Sequence, residues 1–282
     1  MGLQVNFSGQ SCGAEITGID LKKNLSDNQI SEIRELWLEY HVLSFPNQSL
    51  TDDDLERFTL YFGSFGDDPF INSIPGRENI IAVKRTADEK VPVFADNWHT
   101  DWSFQLNPPA GTCLFGKIIP TEGGDTLFAS TVLAYEGLSE AMKQTLERLS
   151  AVHSSRHVFG VRPEMPGEMS SRIGNQEAAL QDAVHPVVIR HPLSGKKSLY
   201  VNPGFTLRFD GWTAEESEPL LKFLYGHITR PEYTYRHKWG EGSMAFWDNR
   251  ATWHFAINDY HGEKRLMHRI TLEGEPLRAA AD

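Results

Sequence analysis

Cysteine is nearly absent from this sequence, with only Cys12 and Cys113 among 282 residues. Two thiols cannot build a disulfide framework, and they cannot supply the ligands of a thiolate metal cluster. Any metal ion in this protein is therefore expected to be held by nitrogen and oxygen ligands.

Long apolar runs and an excess of basic residues are also missing. No run reaches the roughly 18 apolar residues that a spanning helix needs, and the first residues lack the basic start and apolar stretch of a signal peptide. Lys and Arg number 27 against 38 Asp and Glu, and the net charge of −11 repels nucleic-acid phosphates and anionic lipids. We expect a cytoplasmic protein that acts on a small molecule and has neither nucleic acid nor membrane as a partner. A homo-oligomer stays open.

Internal repeats and low-complexity tracts are absent too, and Gly and Pro are scattered along the chain. These features predict a single domain over residues 1–282. The stretch at about 161–183 is polar, contains Pro and Gly and has no aromatic residue, which indicates an excursion from that domain. A lid over the functional site and a plain surface loop both fit this composition.

Four helices are predicted from N-cap signals, in which a Ser or Thr precedes acidic or amphipathic residues. Two of these signals are complete capping boxes with Gln or Glu at the third position. The predicted N-caps are Ser26, Thr51, Ser139 and Thr213. The helix after Thr213 is expected to bury Leu220, Phe223 and Leu224.

Short apolar runs between these helices predict strands, because they are rich in β-branched and aromatic residues and end at Gly or Pro. Examples are residues 42–45, 113–115, 187–189, 199–201, 244–247 and 270–272. Many short strands with few helices favour a mainly β fold with flanking helices, arranged as a sandwich or jelly roll.

A candidate metal site begins with His99 and Asp101, which stand two residues apart. On an extended strand this spacing points both side chains to one face, so that both can bind one ion. The pair alone is weak evidence, since His and Asp are common residues. Its sequence context carries more information.

The context consists of motifs spread over the chain. They are NWHTDWSF at 97–104, GGDT at 123–126 and WDNRATWH at 247–254, followed by Arg265 and, four residues later, Arg269. Together these motifs resemble the taurine dioxygenase family, whose members include aryloxyalkanoate and alkyl-sulfate oxygenases. The resemblance runs from about Gly13 to Arg278. It implies a double-stranded β-helix, or jelly roll, with Fe(II), 2-oxoglutarate as co-substrate and O2.

By this resemblance His99, Asp101 and His254 hold the iron and are the catalytic residues. Two imidazoles and one carboxylate occupy one face of an octahedral Fe(II) and leave three positions open. A structural zinc site would instead need a fourth protein ligand, and none stands near these motifs. Thr126 and Arg265 are expected to bind 2-oxoglutarate, because Arg suits bidentate binding of a carboxylate.

Arg269 is expected to meet an anionic substrate, since it faces the same side as Arg265 if both lie on one extended strand. A structural ion pair is the alternative for Arg269. The resemblance also places apolar residues in the substrate pocket, although each could equally be core packing: Trp102, Val158, Phe159 and Phe205. The expected substrate is a sulfonate, a sulfate ester or a carboxylate with an apolar body.

Two departures argue against taurine itself as the substrate. Taurine-cleaving members carry an Asn four residues before the first metal ligand, where this chain has Ala95. They also carry His and Tyr on the loop after the Phe-Gly-Asp turn. Here the segment between Asp67 and Trp98 contains neither.

The implied reaction hydroxylates a C–H bond and releases succinate and CO2, with C–S or C–O cleavage where that carbon bears a heteroatom. Desaturation or cyclisation in a biosynthetic pathway remains open on the same scaffold. Two alternatives come from other classes. One is a protein that binds metal and 2-oxoglutarate without turnover, and the other is a zinc hydrolase, which would have no need of Arg265.

Overall fold

The structure is a computed structural model that describes residues 2–69, 71–89, 97–156 and 181–280. Within these ranges the chain is mainly β with flanking helices, as the sequence predicts. The helices are α1 (Asp27–Tyr40), α2 (Asp52–Leu60), α3 (Thr131–Glu136), α4 (Glu140–Leu146) and α5 (Ala214–Ile228), and a 3₁₀ turn covers Pro231–Tyr233.

The strands are short, and most of them pair antiparallel. They are β1 (Gln4–Phe7), β2 (Ala14–Thr17), β3 (Val42–Phe45), β4 (Ile81–Arg85), β5 (Gly111–Ile118), β6 (Thr126–Ser130), β7 (Ser150–Ser154), β8 (Asp182–Pro186), β9 (Val188–Arg190), β10 (Lys197–Leu199), β11 (Thr206–Phe209), β12 (Thr234–His237), β13 (Met244–Asp248), β14 (Thr252–Ala256), β15 (Arg265–Thr271) and β16 (Arg278–Ala279).

Two sheets position the site. The larger has the order β1-β2-β3-β13-β5-β15-β4, and the smaller has the order β12-β6-β14. Strand β15 brings Arg265 and Arg269 to the larger sheet, whereas β14 brings His254 to the smaller one. Residues far apart in sequence therefore meet where the two sheets come together.

All four predicted helix starts are confirmed, because Ser26, Thr51, Ser139 and Thr213 each accept a hydrogen bond from a backbone N–H of the first turn. The helix α3 was not predicted from sequence. Its six residues are too few for a helical periodicity to show.

The predicted buried stripe of α5 is wrong at Phe223, whose exposed fraction is 45%. Leu224 is buried as predicted, whereas Leu220 is only partly buried. The buried stripe runs through Ser217, Leu221, Leu224 and Ile228, which follow one another at spacings of three and four residues. Phe223 lies beside this stripe and stacks on His227 at its edge.

The main apolar core lies between the larger sheet and helices α1 and α2. The ring of Trp37 from α1 stacks on Phe246 of β13, with the ring centres 4.3 Å apart. Phe58 and Phe62 meet the same Phe246 ring edge-on or tilted. This packing supports β13 from behind, and β13 pairs with β5 next to the strand that carries both arginines.

The excursion predicted at about 161–183 lies outside the described residues as far as 180. Its last two residues, 182 and 183, are the first residues of β8. Among the helices of the described ranges, none has both the length and the apolar character needed to cross a membrane.

Replacing Ser26 with Ala is expected to lower the free energy of unfolding by about 1 kcal/mol, because the change removes the N-cap acceptor of α1. Chemical denaturation measures the difference. The control is Ser31→Ala in the middle of the same helix, where the exposed Ser makes no cap and Ala is the better helix former. Equal destabilisation by the two changes would contradict the importance of the cap.

Candidate metal centre

The side chains of His99, Asp101 and His254 converge in a buried cluster. Asp101 Oδ1 lies 3.8 Å from His99 Nε2 and 3.7 Å from His254 Nε2. The backbones of His99 and His254 also exchange both N–H to carbonyl hydrogen bonds, at 3.1 and 2.8 Å. One donor atom from each residue can therefore face a single ion.

The route by which Asp101 reaches this cluster differs from the predicted one. We expected His99 and Asp101 on one extended strand, which is wrong in detail. His99 makes an isolated β-bridge with His254, and Asp101 opens a turn that includes Trp102 with a positive φ of 43°. The turn still allows the cluster to form, because the β-bridge to His254 by itself holds His99 against β14.

The Asp101 carboxylate is oriented by two contacts to its second oxygen. Oδ2 accepts a hydrogen bond of 2.7 Å from Thr112 Oγ1 and lies 2.9 Å from Arg269 Nη2. Thr112 Oγ1 in turn accepts from Asn249 Nδ2, and Asn249 Oδ1 accepts from Trp247 Nε1. With Oδ2 occupied in this way, Oδ1 is the oxygen that points to the imidazoles.

Burial sets the protonation of the imidazoles. It lowers the pKa of His99, although Asp101 acts in the opposite direction, and it lowers the pKa of His254 well below its ordinary value. His99 Nδ1 lies 2.9 Å from the carbonyl oxygen of Asn97, which can only accept, so the proton belongs on Nδ1 and the Nε2 lone pair is free for a ligand.

The carboxylate stays ionised in the same environment. Burial alone would raise the pKa of Asp101, but Arg269 and the two imidazoles offset burial and lower it overall. Two neutral nitrogen donors and one anionic oxygen donor result. This donor set fits a divalent iron and leaves no fourth protein ligand among the described residues, which agrees with an open site.

The two residues expected to bind 2-oxoglutarate are linked through Trp239. Thr126 Oγ1 accepts a hydrogen bond of 2.9 Å from Trp239 Nε1, and the Arg265 guanidinium carbon lies 5.8 Å from the Trp239 ring centre. Arg265 is buried, its Nε has no hydrogen-bond partner among the described residues, and burial lowers its pKa. An anionic ligand would satisfy this buried cation.

Gly124 makes room beside Arg265. It has a φ of +72°, and a Cβ at this position would lie 3.2 Å from the Tyr260 ring and 3.6 Å from Arg265 Nε. Sequence reasoning pointed to the GGDT motif but missed Trp239 and Tyr260. No motif in the sequence marks these two aromatics: Trp239 reaches Arg265 from a distant part of the chain, and Tyr260 reaches it through the turn that precedes β15.

The structure also gathers part of the expected substrate pocket. The Arg269 guanidinium carbon lies 5.1 Å from the Trp102 ring centre, and the Phe205 ring centre lies 6.4 Å from Trp102 and 6.2 Å from the ring of His99. Arg265 and Arg269 share β15, which is the condition on which Arg269 was expected to face the same side as Arg265. Three other predicted or compared positions lie outside the described residues: Ala95, Val158 and Phe159.

Two known proteins match this chain over nearly its whole length. An alkylsulfatase of Acinetobacter baylyi is 39% identical over 266 residues, which cover 93% of this chain and 82% of that protein. An alpha-ketoglutarate-dependent sulfate ester dioxygenase of Pseudomonas putida is 32% identical and is covered to 87%, again over 93% of this chain.

A solved structure and a family model also match most of this chain. The crystal structure of a taurine dioxygenase from Burkholderia xenovorans superposes with a TM-score of 0.82 at 34% identity, covering 98% of this chain and 90% of that one. The family model described as "Taurine catabolism dioxygenase TauD, TfdA family" matches residues 5–271. These matches confirm the resemblance that the motifs predict. The chain therefore belongs to the TauD, TfdA family of taurine catabolism dioxygenases.

Proposed function

We propose that this protein oxidises the C–H bond next to the ester oxygen of a small sulfate ester with an apolar body. It is a 2-oxoglutarate-dependent dioxygenase, as its family membership implies, and it requires Fe(II) and O2. The observation that carries the proposal is the buried His99, Asp101 and His254 cluster together with the buried cation of Arg265, whose Nε has no hydrogen-bond partner among the described residues.

We assign the iron to Nε2 of His99, Oδ1 of Asp101 and Nε2 of His254. Bound Fe(II), 2-oxoglutarate and O2 together supply the chemistry, in which 2-oxoglutarate is oxidised to succinate and CO2 while one oxygen atom enters the substrate. The contacts of Thr112 and Arg269 to Asp101 Oδ2 keep the carboxylate from turning. The chain thereby holds the ligand atoms in place before any ligand binds.

We assign the 2-oxoglutarate carboxylate that lies away from the metal to Arg265, with the Thr126 hydroxyl beside it. The buried surroundings favour this pairing, because a guanidinium removed from water gains most from a charged partner. Trp239 positions the Thr126 hydroxyl by donating a hydrogen bond to it.

The substrate class rests on the relatives and on Arg269. Two of the relatives are named for sulfate esters, and Arg269 presents a buried cation next to the metal cluster. Trp102 and Phe205 form an apolar wall on the same side, which suits an apolar body and keeps water away. Sulfonates and aryl carboxylates carry a negative charge that Arg269 could also bind, but they lack the sulfate ester for which the two relatives are named.

The anionic group is expected on the metal side of Arg269. Arg269 also lines a cavity of about 100 Å³ whose other lining residues include three acids, Asp67, Asp68 and Glu78. These acids would repel an anion. The sulfate is therefore best placed beside Arg269 on the side of the cluster, where a bound Fe(II) would offset the charge of Asp101.

The product follows from the position of the oxidised carbon. Hydroxylation of a carbon that carries the sulfate oxygen gives a hemiacetal sulfate, and breaking its C–O bond to sulfate yields an aldehyde and inorganic sulfate. The hydroxyl proton leaves with this step. A desaturation or cyclisation would give no free sulfate.

We also infer that the two sheets around the site belong to a double-stranded β-helix within a single domain of residues 1–282. The antiparallel order of β13, β5 and β15 facing β12, β6 and β14 supports this arrangement. For residues 161–183 a lid and a plain surface loop both stay open, as does assembly into a homo-oligomer.

Incubating the Fe(II)-loaded enzyme with 2-oxoglutarate and a medium-chain alkyl sulfate should release succinate, aldehyde and sulfate in equal amounts. Taurine and an aryloxyacetate serve as comparison substrates, and we expect both to be turned over at least about tenfold less efficiently, since one lacks an apolar body and the other lacks the sulfate. Faster turnover of taurine than of the alkyl sulfate would contradict the proposed substrate class.

Replacing His254 with Ala should abolish turnover, because it removes one of three iron ligands. Under nitrogen, the wild-type protein with Fe(II) and 2-oxoglutarate should show a visible charge-transfer band that the variant lacks. His261→Ala, at an exposed position away from the cluster, is the matched control and should keep the band. A band of full intensity in His254→Ala would remove His254 from the metal site.

Replacing Arg269 with Ala should raise the KM for the alkyl sulfate by about tenfold to a hundredfold, the range for losing a hydrogen bond between charged groups. Binding of 2-oxoglutarate without substrate should survive the change, because Thr112 still donates its hydrogen bond to Asp101 Oδ2. Lys222→Ala removes an equal charge from an exposed helix and should alter neither quantity. Loss of 2-oxoglutarate binding with an unchanged substrate KM would reassign Arg269.

A further inference from the structure

A second buried arginine stands directly opposite Arg265. Strands β4 and β15 pair antiparallel in a register that makes Arg85 the partner of Arg265, so both side chains point to the same face of the sheet. Their exposed fractions are only 6% and 5%. The two guanidinium carbons lie 5.0 and 5.7 Å from the centre of one ring, that of Tyr260.

Within the part of the chain that the structure describes, this arrangement leaves positive charge without a matching carboxylate. Arg85 donates to two neutral acceptors, the side-chain oxygen of Asn258 and the backbone oxygen of Glu89. Among the described residues neither Arg85 nor Arg265 has a carboxylate oxygen at ion-pair distance. Asp125, an acid whose charge acts on Arg265, is already bound by Arg236 at 2.6 Å.

Two like charges that face each other across neighbouring strands destabilise a sheet, and burial increases the cost because water cannot screen them. Such a pair is expected where an anion completes it. The Tyr260 ring attracts each cation only weakly, and its hydroxyl is a neutral hydrogen-bond partner of Arg265, so Tyr260 cannot replace that anion.

We propose that Arg85 is a second carboxylate-binding arginine of the 2-oxoglutarate pocket, acting with Arg265 on the carboxylate that lies away from the metal. The inference rests on the proposed function. Its consequence is selectivity, because a pocket with two cations at its far end favours a 2-oxo dicarboxylic acid over a 2-oxo acid with one carboxylate.

The position along the strand supports this assignment. Arg265 stands two same-face positions from Arg269, and the Arg269 guanidinium contacts the metal ligand Asp101. The Arg85 and Arg265 pair therefore lies beyond the metal cluster along β15. The far end of a metal-bound dicarboxylate would extend in this direction.

The alternative is a structural role, in which Arg85 only ties Asn258 and the chain at Glu89 to the end of β4. That role does not depend on which acid occupies the pocket. The two readings therefore differ in how a change at Arg85 affects two acids of the same length, one with the far carboxylate and one without it.

The experiment compares 2-oxoglutarate with 2-oxopentanoate, which has the same five-carbon chain but no second carboxylate. Fe(II)-loaded protein is titrated with each acid under nitrogen, and binding is followed by the charge-transfer band and by calorimetry. In Arg85→Gln the Kd for 2-oxoglutarate should rise about tenfold or more, as expected for a lost charge-assisted hydrogen bond. The Kd for 2-oxopentanoate should stay within about twofold of the wild-type value, a difference below ~0.5 kcal/mol.

Lys84→Gln is the matched control. It removes the same charge from the adjacent, exposed position of β4, whose side chain points to the other face, and both Kd values should stay unchanged. An equal loss for both acids in Arg85→Gln, or no loss for either, would overturn the proposal.

Arg85→Lys covers the case in which the Gln variant does not fold. It keeps the charge but loses the planar pair of N–H donors, so a smaller loss confined to 2-oxoglutarate is expected. An equal loss for both acids, or none, overturns the proposal here as well. Failure of the wild-type protein to bind 2-oxoglutarate with Fe(II) is a separate result, which would refute the proposed function and this inference together.

Discussion

The site depends on how one carboxylate is held. Asp101 Oδ2 is engaged by Thr112 of β5 and Arg269 of β15, and this engagement leaves Oδ1 to face the two imidazoles. The contacts come from the larger sheet, whereas His254 comes from the smaller one. Asp101 therefore joins the two sheets at the point where the metal donors meet, and a shift of either sheet would separate those donors.

Charge inside the pocket has the opposite sign to charge over the whole chain. The protein carries a net charge of −11, yet Arg85, Arg265 and Arg269 bring buried cations to one region around β15. Surface charges are screened beyond about 8 Å in physiological salt, but buried groups are screened far less. The pocket can therefore attract anions although the surface repels them, which matches an anionic co-substrate and an anionic substrate.

Features that depend only on residues close together in the sequence, such as helix N-caps, were predicted correctly. The N-caps at Ser26 and Thr213 are correct because a cap involves residues only three positions apart. The burial of Phe223 was wrong because the angle at which α5 meets its neighbours selects between adjacent stripes of one helix. The prediction of one extended strand from His99 to Asp101 was wrong because the turn after His99 depends on tertiary contacts.

The sequence by itself determined the family and the chemical types of the metal donors, since motif spacing is a property of the chain. Only the tertiary structure decided which oxygen of Asp101 faces the imidazoles, that Trp239 and Tyr260 flank Arg265, and that Arg85 lies opposite it. These features follow from strand register and sheet packing. Both are set by contacts between residues far apart in sequence, so no local pattern encodes them.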